Sequence, residues 1–312
     1  MNINVFSHQA VLLNETVSGV ITDAGGFYID GTFGRGGHAR ELLSRLNESA
    51  RVLAFDKDPE AVAVGKALAR EDPRFDIYHG SFAEISDAVK ERNQQGRIDG
   101  ILLDLGVSSP QLDDSQRGFS FMKDGPLDMR MNNASGMTAA EWLASAEETE
   151  IANVLWQYGE ERFGRRIARA IVEDRAEKPF ETTHDLAGLI KRICPAKEKH
   201  KHPATRSFQG IRIYLNRELD DLKTCLHDGL DELKVGGRFS IISFHSLEDR
   251  IVKQFIQKHV KGDDFPAGLP VTESQLNKRL KHISKAVKAS AEELDVNIRA
   301  RSAVLRVAEK LA

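Results

Sequence analysis

Cysteine is almost absent from this chain: Cys194 and Cys225 are the only two, and neither has a neighbouring cysteine. That excludes a disulfide framework and a cysteine-rich zinc site, and it suits a reducing compartment. Long apolar runs are missing as well. No stretch reaches the roughly 18 apolar residues of a membrane span. Residues Met1 to Val20 also lack a basic flank followed by an apolar segment, so no membrane partner or export is expected, and the cytoplasm is the expected location. Tandem repeats and low-complexity tracts are absent too. With 41% hydrophobic and 29% charged residues, the composition is that of an ordinary globular protein. Nor does one sign of charge dominate. A net charge of −3 gives no global attraction to phosphate, so any nucleic-acid surface has to be a local basic patch.

What is present is alternation. Apolar runs bounded by turn residues predict strands at Phe27 to Asp30, Val52 to Asp56, Phe75 to Tyr78, Gly100 to Asp104 and Arg238 to Phe244. Helical patterns at Ala39 to Leu46, Pro59 to Ala69 and Phe82 to Gln94 separate the first four, which implies an α/β fold with a mostly parallel sheet. The interval from Leu105 to Gly237 is far longer than one helix and its loops require, so an inserted domain is expected. Helices are predicted in it at Thr138 to Leu155, Glu161 to Arg175 and Thr183 to Cys194. Its bounds are placed at 112–212, leaving 1–111 and 213–312 as the main domain. Arg217 to Leu233 then reads as the crossover helix, stopped by Gly236-Gly237. Leu247 to Val260 reads as a helix on the sheet, and Arg299 to Ala308 as a last, antiparallel strand near the edge.

The segment Asp30-Gly31-Thr32-Phe33-Gly34-Arg35-Gly36-Gly37-His38 joins a strand end to a helix start, where backbone N–H groups can approach an anionic ligand. Gly34-x-Gly36-x-x-Ala39 with Asp56 at the next strand end also satisfies the dinucleotide fingerprint, so the motif alone leaves two cofactors open. Three features favour S-adenosylmethionine. Asp30 can accept from a cationic amino group, His38 and the Gly36-Gly37 amides can meet a carboxylate, and Phe82 after the third strand offers an aromatic face. Phe82 can equally be core. Asp104 closes the fourth strand at the ligand edge of a parallel sheet, or merely caps a turn; Leu105 to Gln111 reads as a loop.

The runs Asp30 to His38, Asp99 to Asp114, Gly118 to Arg130, His202 to Ile213 and Ser243 to Arg250 closely resemble those of the MraW-like family of bacterial 16S ribosomal RNA (cytosine-N4)-methyltransferases. The resemblance covers nearly the whole chain. It implies a Rossmann-like class I methyltransferase domain interrupted by a helical substrate-recognition domain, and methylation of a decoding-site cytidine in the 16S rRNA of the small ribosomal subunit. It implies S-adenosylmethionine contacts at Gly36, Gly37, His38, Asp56, Phe82, Asp104 and Gln111. One feature departs from DNA amino-methyltransferases, whose fourth strand leads into an Asp/Asn-Pro-Pro-aromatic loop; here the sequence is Asp104-Leu-Gly-Val-Ser-Ser-Pro110.

Methylating an exocyclic amine requires acceptors that draw its N–H bonds out of the ring plane, and no metal. The turn at Ser108 and Ser109 is the candidate source, against a plain tight turn. For RNA contact the candidates are Lys199, Lys201, Arg206 and Arg212 in the basic stretch after Cys194, against a solvated loop; His245 beside the substrate; and a smaller patch at Arg299 and Arg301. His200-x-His202 has no further ligands near it in sequence and is not read as a metal site. Ser246 reads as a helix N-cap. Phe119, Phe121, Met122, Leu127, Met129 and Met131 read as the apolar seat of the insert on the main domain. A homodimer is left open. So are two rivals: an NAD-dependent dehydrogenase, and a non-catalytic ribosome assembly factor that keeps a relic pocket.

Overall fold

The computed structural model describes residues 10–194, 202–266 and 272–312. The chain separates into two compact units, Met1–Gly106 with Leu219–Ala312, and Val107–Glu218. In chain order, the first unit contributes α1 (Leu13–Val20), β1 (Phe27–Asp30), α2 (Gly37–Arg45), β2 (Arg51–Asp56), α3 (Pro59–Glu71), β3 (Phe75–His79), α4 (Ile85–Glu91) and β4 (Ile98–Asp104). The second contains α5 (Ser109–Asp113), α6 (Ala139–Ser145), α7 (Glu148–Gln157), α8 (Gly164–Arg175), α9 (Thr183–Ile193) and α10 (Thr205–Leu215). The chain returns through α11 (Glu218–Glu232), β5 (Leu233–Ser243), α12 (Ser246–Lys261), β6 (Leu280–His282), α13 (Ala291–Val296) and β7 (Val304–Lys310).

The sheet runs β3-β2-β1-β4-β5-β7-β6. Neighbours from β3 to β5 are parallel, whereas β7 is antiparallel to both β5 and β6. Alternate residues explain why the central strands read as unbroken apolar runs. Ile29, Leu53, Phe55, Ile101 and Leu103 face α4, α11 and α12, while Tyr28, Val52, Ala54 and Leu102 face α1, α2 and α3. This is the Rossmann-like arrangement that the resemblance implies. The antiparallel β7 removes the dehydrogenase alternative, because a repeated dinucleotide fold continues its second half in parallel.

Several local expectations are corrected. Gly236-Gly237 do not stop the crossover helix. They lie inside β5, where Gly236 takes φ +83° near the point at which the pairing with β4 shifts register. The last strand starts at Val304, after a 3₁₀ turn over Ile298–Ser302, and three-residue β6, too short to show alternation, lies outside it. Thr138 to Leu155 is two helices, because Ala146 is extended between them. Residues 105–111 are not all loop. Ser108 leads into α5, and Pro110 sits in its first turn, where a missing N–H does no harm. Helix α1 carries no strong start signal in the sequence.

The insert is larger than 112–212 because its core reaches beyond those bounds: Val107 packs against that core, and Glu218 holds Arg212 through two hydrogen bonds of 2.8 and 3.0 Å. Phe119, Leu127 and Met129 are buried in this same core with Phe121 and Met131 partly buried against it, so they pack the insert itself rather than seating it; Met122 is 82% exposed. Asn216 ties that core together. Its Nδ2 donates to the carbonyls of Met129 and Arg212, both at 2.8 Å, and its Oδ1 accepts from the Met131 N–H at 2.7 Å. Met129 sits at φ +62°, a conformation that such anchoring stabilises. Asn216→Ala is expected to destabilise the insert by about 2–4 kcal/mol, since it orphans buried backbone groups. Urea unfolding, followed through Trp142 and Trp156 fluorescence, checks this.

Candidate active site

The carboxyl ends of β1, β2 and β4 each carry an aspartate, Asp30, Asp56 and Asp104, around the turn between β1 and α2. Glycine is required at two points of that turn. Gly36 takes φ +80°, and any side chain there would run into the Phe33 ring; a side chain at Gly31 would overlap Leu103 and Phe82. Helix α2 begins at Gly37, so the first amides of its N-terminal turn, those of Gly37 and His38 among them, have no intrahelical acceptor.

Asp30 is completely buried. Its Oδ1 accepts from the Thr32 N–H at 3.1 Å, and its Oδ2 has no partner. Burial away from water pushes its pKa up to about 6. Asp56 holds the glycine turn from the next strand, with Oδ2 accepting from the Gly34 N–H at 2.7 Å and Oδ1 from the Asp58 N–H at 2.8 Å. Burial raises it too, to about 6. Asp104 is fixed by its own N–H donating to Thr32 Oγ1 at 2.6 Å, and its Oδ1 is buried without a partner. Burial first, and the nearby Glu248 carboxylate second, push Asp104 up to about 7.

His38 is 4% exposed, with Nε2 3.1 Å from the Val11 carbonyl and Nδ1 3.6 Å from Asp104 Oδ2. Burial lowers its pKa, which favours a neutral ring donating to Val11. The ring is thus a wall of the acidic cluster, and only its backbone N–H remains for a carboxylate. Phe82 is partly buried, packed like Tyr78 against the core that includes Leu103, and borders Gly31.

Five further residues, Thr32, Lys57, Ser81, Asp221 and Glu248, support the site without being evident in the sequence. Thr32 braces both Asp30 and Asp104. Lys57 pairs with Asp221 Oδ2 at 2.5 Å, and Ser81 Oγ donates to the same oxygen, tying the turns after β2 and β3 to α11. Glu248, 2% exposed, accepts from the Phe244 N–H at 2.8 Å. The His245-x-x-Glu248 spacing was a signal for the last: His245, not Ser246, caps α12, its ring accepting from the Glu248 N–H at 3.4 Å. A tetrahedral hydroxyl and an aromatic acceptor are alternatives for the same position, and the ring prevails because Glu248 reaches back to the cap.

Gly36, Gly37, His38, Asp56, Phe82, Asp104 and His245 therefore all belong to the first unit. Ser108, Ser109 and Gln111 belong to the second, where Gln111 is 5% exposed and its Oε1 accepts from the Ser108 N–H at 2.9 Å, closing the start of α5. Arg206 and Arg212 are in the second unit as well. Arg212 is committed to Glu218, with its side chain 14% exposed, and does not offer a free guanidinium to RNA. Lys199 and Lys201 lie outside the described residues. Among the described residues no group of three His, Cys, Asp or Glu side chains is placed to hold a metal ion. No helix among them is long and apolar enough to cross a membrane.

A model of the MraW methylase family matches residues 5–311. The chain belongs to that family. Ribosomal RNA small subunit methyltransferase H of Shewanella oneidensis is 57% identical over 308 residues, 98% of each chain. The methyltransferase H of Shewanella baltica strain OS155 is 56% identical over the same shares. A solved rRNA methylase from Streptococcus thermophilus aligns with TM-score 0.38 and 11% identity over 95% of this chain and 92% of that one, too distant a likeness for residues to be carried across.

As a MraW-family methylase the protein is a class I methyltransferase, and its methyl donor is S-adenosylmethionine. The site fits that molecule: buried carboxylate oxygens without donors suit a cation and hydroxyls, and free helix amides suit a carboxylate.

Proposed function

We propose that this methylase transfers a methyl group to the exocyclic N4 amine of a decoding-site cytidine in the 16S rRNA of the small ribosomal subunit, in the cytoplasm. The observation that carries the chemistry is Asp104: a strand-end carboxyl with one buried oxygen that has no partner, in the electrostatic reach of the buried Glu248 carboxylate. The family membership and the methyltransferase H relatives support the RNA substrate.

When bound, S-adenosylmethionine supplies an electrophilic methyl whose C–S bond breaks as the N4–C bond forms. The residues have separate tasks. Asp30 accepts from the cofactor's amino group, the Gly37 and His38 amides from α2 meet its carboxylate, Asp56 takes ribose hydroxyls, and Phe82 lies along the base. Gln111 stiffens the Ser108–Ser109 turn by accepting from the Ser108 N–H at 2.9 Å. The cytosine amine loses one N–H proton in the reaction. Asp104 accepts that proton, and a carboxylate raised to about 7 is matched to the task near neutral pH.

The test is direct. Purified protein is incubated with isotopically labelled S-adenosylmethionine and either small subunits or their deproteinised RNA, and the RNA is digested and its nucleosides identified by mass spectrometry. Label in N4-methylcytidine from one decoding-site position is expected; label in another nucleoside, or none in any substrate, refutes the proposal.

A further inference from the structure

Helix α8 carries its arginines on one face. Arg162 just before the helix and Arg165, Arg166 and Arg169 within it are all exposed, at the i, i+3, i+4, i+7 spacing that aligns side chains over about 10 Å of helix. The opposite face, Gly164, Ile167, Ala168 and Ile171, is buried in the core of the insert. Among the described residues no carboxylate lies within ion-pair distance of these four arginines. Several guanidinium groups elsewhere are engaged, Arg74 by Asp72, Arg130 by Asp128, Arg238 by Glu309 and Arg306 by Asp249; what distinguishes the α8 arginines is that four of them share one helix face.

This placement opposes what the helix itself favours. The first turn of α8 has no acidic residue and holds Arg165 and Arg166, although the helix dipole makes cations unfavourable there by about 0.3–1 kcal/mol each. Neighbouring like charges on one face repel as well. Glu173 follows on this face but pairs with none of them. The Phe163 ring lies 5.7 Å from the Arg166 guanidinium carbon, which steadies that group at the surface. Two guanidiniums in the first turn of α8, Arg165 and Arg166, flanked on the same face by Arg162 and Arg169 and with no ion-pair partner among the described residues, suit an external polyanion. In the basic stretch singled out in the sequence, Arg212 is bound to Glu218.

We infer that the exposed arginine face of α8 binds the phosphate backbone of the RNA substrate. Guanidinium groups match phosphate oxygens in pairs and read no base, so the face positions the RNA while the strand-end site selects the base. The inference rests on the ribosomal-RNA reading above.

The experiment measures filter binding of full-length transcribed small-subunit RNA from 50 to 300 mM KCl. It compares the wild-type protein with a variant carrying Arg162→Gln, Arg165→Gln, Arg166→Gln and Arg169→Gln, and with two-site variants Arg162→Gln/Arg169→Gln. Glutamine keeps helix propensity and length. The four-site variant is expected to bind about 10- to 100-fold more weakly, with the slope of log K against log salt reduced by about 2 to 4 and S-adenosylmethionine affinity unchanged. The two-site variant, the safeguard against misfolding, should lose about half of that slope. Wild-type binding with folded variants of unchanged affinity and slope overturns the inference and leaves the RNA reading standing. Wild-type protein that neither binds nor methylates the RNA refutes the reading itself.

Discussion

Asp104→Asn is expected to lower the rate of methyl transfer by about 10²- to 10⁴-fold, the range over which a positioned proton acceptor contributes. The substitution keeps the shape of the side chain, and the Asp104 N–H still donates to Thr32, so the end of β4 should stay in place. What is lost is the negative charge beside the amine and the capacity to take its proton. The pH profile distinguishes this from a merely structural loss. In the wild type the rate should rise with pH and level off above about 7, as the carboxyl ionises. In Asp104→Asn that limb should vanish. Glu248→Gln provides an independent arm. Glutamine can still accept from the Phe244 N–H but no longer places a negative charge near Asp104, so the limb should move to lower pH. Single-turnover methylation of small-subunit RNA from pH 5.5 to 9, with saturating cofactor, measures all three. Retention of the wild-type limb in Asp104→Asn would assign the proton to another acceptor.

The elements legible in the sequence are those whose signal is local. Strands β1, β2 and β4 are apolar on both faces because helices cover both faces, and they announce themselves as runs. The turn from Asp30 to Gly37 is legible because only glycine tolerates its backbone and its closeness to Phe33, Leu103 and Phe82. What stayed hidden depends on partners distant in the chain. Nothing beside Arg212 shows that Glu218 takes its charge, and nothing beside Asp104 shows that Glu248, more than a hundred residues later, raises its affinity for a proton. The methionines and phenylalanines from 119 to 131 look like an interface because they follow the fourth strand. All but the exposed Met122 belong to the core of the insert, which closes on them. In the sequence the α8 arginines are simply part of a helical pattern; that the four stand exposed on one face, with no ion-pair partner among the described residues, emerges only from the structure.

Removing the charge at Asp30 should stabilise the empty protein and cripple the cofactor site together. Asp30 is buried in the folded chain with its pKa pushed up to about 6, against about 3.9 for a free aspartate, so the folded state holds a proton more readily than the unfolded state does. Its contribution to stability is fully present below about 4 and lost as pH rises through about 6, in the opposite direction to ordinary acid unfolding. At about 1.4 kcal/mol per pH unit, the ionised group destabilises the empty protein by roughly 3 kcal/mol at pH 8. Asp30→Asn should recover as much as that and raise Tm by several degrees at pH 8, with little gain at pH 4. The same charge is what the cationic amino group of the cofactor requires. Losing a buried, hydrogen-bonded charge pair of this kind weakens binding by about 3–4 kcal/mol, or 10²- to 10³-fold. Wild-type affinity should itself fall as pH drops below about 6, where Asp30 and Asp56 take up protons. Calorimetric titration with S-adenosylmethionine and thermal unfolding of the cofactor-free protein, each at pH 5 and 8, test both halves. A variant that binds normally, or one that is less stable at pH 8, would show that the buried carboxylate is satisfied within the protein and is not held ready for a cation.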